Sequence, residues 1–328
     1  MDITKESIDM KEINILFLSA GRRVELVKAF REAVKTSETK GKLIAVDLQD
    51  TAPALYFADE FLQIRRVTED GYIDELIQIC NDKNISLIIP TIDTELYLLS
   101  ENKEKVESET GAKIMVSDKE LIRIIRDKFK TYDFLKENGF ETPRVITEED
   151  IASKNYSFPL FIKPLDGSSS INNFKVNNEE ELEFFRKYVN KPIIQEFAEG
   201  EEYCIDIFTD FKGNPITIVP KLRLASRAGE IMKGKIVKDD RIINYMKKLI
   251  SVIKPTGEIN VDCMVTDEKI SIIEINGRFA GGSPMSFEAG ANSPLNLIKL
   301  LNGEEISYNE DYQDGMMAFR FDDCVYIK

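Results

Sequence analysis

The stretch IIEINGRFAGG, residues 272–282, places an acid, an amide and a guanidinium at every second position. These are Glu274, Asn276 and Arg278, set between apolar residues. Side chains alternate faces along a strand, so Glu274 and Asn276 share one face while Ile273 and Ile275 take the other. Buried carboxylates are costly unless something pairs with them. Just upstream, NVDCMV (260–265) puts Asn260, Asp262 and Met264 on one face. A turn at Asp267-Glu268 would fold the two strands into an antiparallel hairpin, bringing Asp262 near Glu274 and Asn276. Two carboxylates and an amide oxygen form a hard oxygen cluster. It suits Mg²⁺ or Mn²⁺, with water and substrate phosphates completing the coordination.

Lys163 lies in LFIKPL among Phe161, Ile162 and Leu165, so it should project to a partner rather than to bulk water. DGSSS follows at once. Small residues such as Gly167, Ser168, Ser169 and Ser170 let backbone N–H groups approach an anion, and a lysine beside them is a phosphate grip. A plain hairpin turn is the other reading. The GxxxxGK[ST] pattern is absent, which excludes that nucleotide loop. Further on, a short apolar strand ends in Gln195-Glu196-Phe197-Ala198. A strand end of this kind can offer backbone groups to an adenine edge, and Glu202 can take ribose hydroxyls.

The elements that must hold these groups follow from periodicity. INILFL (13–18), KLIAVDL (42–48), SLIIPTID (86–93) and AKIMVS (112–117) are apolar runs separated by helical patterns. Apolar runs alternating with helices imply a parallel sheet covered on both faces, an open α/β domain over roughly 11–117. Asp93 and Glu95 follow the third run, where carboxyl ends of parallel strands face a ligand crevice. SAGRRVE after the first run is not GxGxxG. It is either a simple turn or an anion site at a helix N-terminus, with Arg22 or Arg23 assisting. Helices are expected over 118–140, and beyond Pro143 the pattern is α+β with antiparallel strands. Residues 223–235 read as a polar loop carrying Arg223, Arg227, Lys233 and Lys235. That loop is either solvated or a clamp for a substrate carboxylate. FAGGSPMSFEAGANSP (279–294) offers Gly281 and Gly282 backbone, with Ser283 and Ser286 as polar contacts.

Composition narrows the chemistry. The 328 residues carry no histidine, which removes Ser–His and Cys–His catalysis and histidine-based zinc sites. The net charge of −14 argues against a broad nucleic-acid or membrane surface but not against a local basic pocket. Cys80, Cys204, Cys263 and Cys324 form no CxxC and read as reduced core thiols of a cytoplasmic protein. No apolar run approaches a membrane span, and the polar N-terminus reads as no signal peptide.

Taken in order, Lys128 in RDKFKTYDFLKENGFETP, Lys163 in FIKP, DGSSS, QEFAEGEEY, NVDCMV and EINGRFAGG resemble the ATP-grasp fold. Within it they resemble the carbamoyl-phosphate-synthase-like, carboxylate–amine ligase branch. NILFLSAGRRVELVKAF and IIPTIDTEL are similar to that branch's pre-ATP-grasp domain. The resemblance implies an α/β fold: an N-terminal open parallel-sheet domain (1–117), then a two-subdomain α+β ATP-grasp unit (118–192 and 193–328). It implies that Lys128 and Lys163 touch ATP phosphates, under a mobile loop at Gly167 to Ser170. Gln195, Glu196, Phe197 and Ala198 fall on the adenine linker and Glu202 on the ribose. Asp262, Glu274 and Asn276 match metal ligands, and Arg278 matches the arginine that steadies the transferred phosphate. Gly277 stands where the family has proline, which would loosen the turn presenting Arg278.

The chemistry so implied is ATP-dependent amide formation through an acyl phosphate, with small-molecule carboxylate and amine substrates and a homodimer left open. Two alternatives stand beside it: a carbamoyl-phosphate-type enzyme acting on bicarbonate or carbamate, and a non-catalytic ATP-binding regulatory protein.

Overall fold

The computed structural model describes residues 12–165 and 171–327. Its first unit alternates strands and helices: β1 (Asn14–Leu18), α1 (Val24–Thr36), β2 (Leu43–Asp47), a 3₁₀ turn (Pro53–Phe57), β3 (Glu60–Gln63), α2 (Tyr72–Asp82), β4 (Ile85–Pro90), α3 (Asp93–Glu101), α4 (Lys103–Thr110) and β5 (Lys113–Ile114). The strands form a parallel sheet in the order β3-β2-β1-β4-β5. Every residue of β1 is buried, as a strand covered on both faces requires. The strand order reverses between β1 and β4, and the carboxyl ends there open a crevice.

Two helices, α5 (Lys119–Ile125) and α6 (Lys128–Glu137), lead onward. Next come α7 (Glu148–Ser153), β6 (Leu160–Pro164), β7 (Phe174–Val176), α8 (Glu179–Tyr188) and β8 (Pro192–Glu196). Here the three strands pair as β7-β6-β8, so β8 belongs with the strand that carries Lys163. This sheet has its own apolar cluster around Leu160, Ile162, Val176, Leu182 and Ile194.

The last unit contains β9 (Glu201–Thr209), β10 (Pro215–Arg227), β11 (Glu230–Ile236), α9 (Asp240–Ile253), β12 (Glu258–Val265), β13 (Ile270–Asn276), α10 (Pro284–Glu288), α11 (Ser293–Leu301) and β14 (Met317–Phe319). Its antiparallel sheet runs β13-β12-β9-β10-β11-β14. One apolar core joins this sheet to the first: Leu16, Ile88 and Leu96 share a cluster with Ile205, Ile259 and Ile275. Phe279 adds a second link, meeting Phe30 of α1 edge-on at 5.9 Å.

Residues 223–235 are not the polar loop expected. They form a hairpin of β10 and β11, turning at Ala228 and Gly229 with φ of +51° and +76°. Two consecutive positive φ values give the primed turn that matches strand twist. The polarity that suggested a loop is the solvent side of a hairpin: Ile231 and Ile236 are buried while Lys233 and Lys235 face water. Cys80, Cys204 and Cys263 are buried free thiols, but Cys324 is exposed, because the extended tail after β14 has no core to enter. Among the described residues no helix is long and apolar enough to cross a membrane.

Candidate active site

The hairpin of β12 and β13 sets Asn260 opposite Asn276 and Asp262 opposite Glu274. The two carboxyl groups therefore meet side by side, as period-two alternation requires. Burial pushes both above the usual carboxylate range; Asp262 pushes Glu274 further, while Arg223 pulls Asp262 back. Such a pair calls for a cation. Among the described residues no group of three or more His, Cys, Asp or Glu side chains could hold a metal. The oxygen set here is two carboxylates and the Asn276 amide, so a ligand must supply the rest.

Lys163 stands on β6, only 6% exposed. Burial pulls its ammonium down to about 8, with Glu274 and Asp262 holding it up and Lys128 opposing. Lys128 is the first residue of α6, whose N-cap Asp127 accepts from the N–H groups of Phe129 and Lys130. The Lys128 ammonium donates to the Leu165 carbonyl at 3.0 Å, so both lysines flank the same segment. Gly167, Ser168, Ser169 and Ser170 lie outside the described residues.

These groups line one cavity of about 470 Å³ between the sheets. Arg23, Arg126, Lys128, Lys163, Lys221, Arg223 and Arg278 bring seven positive charges to it; Asp93, Glu202, Glu230, Asp262 and Glu274 bring five negative ones. In a chain of net charge −14, this local excess marks a site for a polyanion. Arg278 donates to Asp93 Oδ2 at 2.7 Å, which ties it to the first residue of α3. Gly277 packs tightly rather than loosening the turn: a Cβ there would meet Ile125 Cδ1 at 2.9 Å and Ile122 Cδ1 at 3.1 Å.

Several expected positions fall elsewhere. Glu95 is 1% exposed and does not line the cavity; the hydroxyls of Ser19 and Tyr72 donate to it, and burial pushes it to about 7. Arg22 is on the rim, 82% exposed and 3.8 Å from Asp322. Its neighbour Arg23 is the arginine that turns inward, because Arg23 is the N-cap of α1 and its Nη2 donates to the Thr91 carbonyl at 3.2 Å. Arg227 is exposed and paired with Asp322 at 2.5 Å. Ser283 is buried; its hydroxyl accepts from the Ala280 N–H, and Ser286 donates to Asp206 at 2.7 Å.

Arg223 is not a free clamp for a substrate carboxylate. It donates to Glu202 at 2.7 Å and to Asp262 at 3.2 Å, joining the expected ribose and metal positions. Burial alone would lower its pKa, but Asp262, Cys204 and Glu202 together raise it, so it stays charged. Gln195 is buried and donates to the Pro143 carbonyl at 3.2 Å, while the exposed Glu196 holds Arg144 at 2.9 Å. Phe197 meets Phe161 at a tilt of 54°, centroids 6.4 Å apart. Its N–H donates to the Pro159 carbonyl at 3.3 Å. The linker then passes through half-buried Ala198 into β9.

Sequence reasoning did not select Asn260, Lys221, Arg126 or Glu230. Asn260 shares a face with Asp262 and was visible by alternation. Lys221 forms a buried pair with Asp206 and donates to the Gly282 carbonyl at 3.2 Å, contacts across strands that no local pattern carries.

Known proteins resemble this chain in sequence and in fold. A model of PylC-like N-terminal domains matches residues 15–115, and an ATP-grasp domain model matches 125–282. The carbamoyl-phosphate synthase of Methanobrevibacter smithii is 26% identical over 254 residues, 71% of this chain and 68% of that protein. The 3-methyl-D-ornithine–L-lysine ligase of Methanosarcina barkeri is 24% identical over 279 residues, 84% of this chain and 70% of that one. In fold, the chain is similar to N5-carboxyaminoimidazole synthetase from Staphylococcus aureus complexed with ADP: TM-score 0.70, 18% identity, covering 90% of this chain and 79% of that one. With both segments matched in order and most of the chain covered, this protein belongs to the ATP-grasp family, a PylC-like N-terminal domain preceding its ATP-grasp domain.

Proposed function

We propose that this chain is an ATP-dependent, ADP-forming ligase that joins a small-molecule carboxylate to an amine through an acyl phosphate. The observation that carries this reading is the convergence of Asp262, Glu274 and Asn276 with Lys163 and Arg278 on one cavity. ATP fits the basic end of that cavity. In this assignment Lys128 and Lys163 hold its phosphates, Glu202 takes the ribose, and the segment from Gln195 to Ala198 borders the adenine. Asp262, Glu274 and Asn276 would hold Mg²⁺ or Mn²⁺, which neutralises charge on the transferring phosphate. The carboxyl pair, raised first by burial, fits a hard divalent ion, which would neutralise it.

The residues then position and neutralise rather than react covalently. A carboxylate oxygen attacks the γ-phosphorus. An O–P bond forms as the bond to the bridging oxygen breaks, and ADP leaves with that electron pair. Arg278, fixed by Asp93, steadies the phosphate in transit. The amine nitrogen then attacks the acyl carbon. The C–O bond to phosphate breaks with its electron pair on phosphate, and the nitrogen's surplus proton leaves to phosphate or solvent. The step needs no histidine.

The test is Mg·ATP-dependent ADP release against pooled carboxylates crossed with pooled amines, with bicarbonate-only wells and a Lys163→Ala control. Release only with both pools supports the ligase. Release with bicarbonate alone would replace it with a carbamoyl-phosphate-type activity.

A further inference from the structure

The cavity also holds a charge pair that is not closed. Arg23 Nη1 and Glu230 Oε1 face each other at 3.8 Å, beyond hydrogen-bond length. Each group is anchored by its other atom. Arg23 Nη2 donates to the Thr91 carbonyl at 3.2 Å, and Glu230 Oε2 accepts from Arg320 at 2.9 Å. Arg23 Nη1 is buried with no hydrogen-bond partner, and no hydrogen bond reaches Glu230 Oε1 among the described residues. A buried guanidinium N–H left open is costly, so a partner is expected.

The surroundings define that partner. Arg23 and Arg278 both line the cavity, and burial first, then repulsion from Arg278, pull Arg23 down to about 10. Arg278 Nε is also buried without a partner. Glu230 is 46% exposed, and its carboxylate lies flat against Gly281: a Cβ there would come within 2.6 Å of the carboxyl carbon. The cavity thus offers donors for an anion and, a short step away, an acceptor for a cation.

We propose that Arg23 and Glu230 select the carboxylate substrate as an α-amino acid zwitterion, its carboxylate lying between Arg23 and Arg278 and its ammonium on Glu230. This rests on the ligase reading above and names the class of its first substrate. The two charged groups of an α-amino acid are one carbon apart, which matches a cation and an anion held just too far apart to satisfy each other. A lone carboxylate would leave Glu230 unmet, and bicarbonate has no ammonium to offer it.

Hydroxylamine, supplied as the amine, traps an acyl phosphate as a hydroxamate, so the first substrate can be tested alone. The probes are glycine, L- and D-alanine, L-leucine, L-glutamate and L-lysine, each beside its des-amino acid. At least one amino acid should give hydroxamate, with the KM of its des-amino partner about 10- to 100-fold higher. Glu230→Gln should erase that preference, and Glu230→Asp should keep part of it. Arg23→Met should raise KM for both members of the pair while the preference stays. Thermal stabilisation by Mg·ATP in every variant would show that each folds and keeps its nucleotide site. If des-amino acids perform as well as amino acids, or the preference survives Glu230→Gln, the zwitterion site is wrong and the ligase stands. If no probe of either series gives hydroxamate, both readings fall.

Discussion

Arg278 Nη2 and Asp93 Oδ2 are 2.7 Å apart, although 185 residues separate them in the chain. One belongs to the turn after β13 and the other begins α3 in the parallel-sheet unit. Arg126 Nη1 lies 3.8 Å from the second Asp93 oxygen, so the acid gathers two cavity arginines. The N-terminal unit thereby helps to set the direction of the arginine proposed to steady the transferred phosphate.

Asp93→Asn keeps the shape and removes the charge. A charge-assisted hydrogen bond is worth about 1.5–3 kcal/mol, so kcat should fall about 10- to 100-fold. Affinity for Mg·ATP, read by calorimetry, should stay near the parent value. A matching loss of nucleotide affinity would show that Asp93 supports the fold rather than Arg278.

Glu274→Gln leaves Asp262 facing a neutral amide and removes one hard ligand from the metal set. ADP release should drop by more than about a thousandfold with the circular-dichroism spectrum unchanged. Near-normal turnover would remove the metal assignment from β13.

Gly281→Ala tests the close approach of the β10–β11 turn. Its Cβ would meet the Glu230 carboxylate at 2.6 Å, so the flexible end of that side chain must swing aside. Moving a side-chain end costs less than overpacking a core, about 1 kcal/mol or under, and a urea midpoint reads it. Gly281→Ala in a Glu230→Ala background is the comparison, since that background removes the carboxylate the new Cβ would meet.

Glu95 supplies a pH signature. Its carboxyl is raised from 4.5 to about 7, by burial against the pull of the Ser19 and Tyr72 hydroxyls. The folded chain therefore binds this proton more tightly than the unfolded chain does. Stability from this group is full below about pH 4.5, falls as pH rises towards about 7, and is level above. Glu95→Gln should lose that slope and be more stable than the parent by roughly 3 kcal/mol at about pH 8. Parallel stability curves for the two proteins from about pH 5 to 8 would contradict this.

Much of the site was legible because it is built on alternation. Asp262, Glu274 and Asn276 lie on strands joined by a short turn, so period two alone brings them together. Lys163 among apolar neighbours had to face charge rather than bulk water, and it feels Glu274 and Asp262. Alternation could not tell Arg22 from Arg23, because the choice depends on where the first turn of α1 begins. Glu95 read as a rim residue for a similar reason: its burial depends on Ser19 and Tyr72, from distant segments. Arg223 was assigned to a substrate because its real partners, Glu202 and Asp262, come from β9 and β12. The β10–β11 hairpin was missed because its outward face is lysine-rich, and a strand face turned to water has little apolar signal to give.

The apolar core that joins the first sheet to the six-stranded one has a consequence for motion. Neither unit can be cut away near residue 117 without stripping the other, so the two should melt as one cooperative block. The β7-β6-β8 sheet is different, since its cluster is its own. It can swing as a rigid flap on the segments around Thr142 and Phe197 without breaking either core. Lys163 rides on that flap while Asp262, Glu274 and Arg278 stay with the block. Closing the flap is therefore what would assemble the phosphate grip, and opening it would let ADP go.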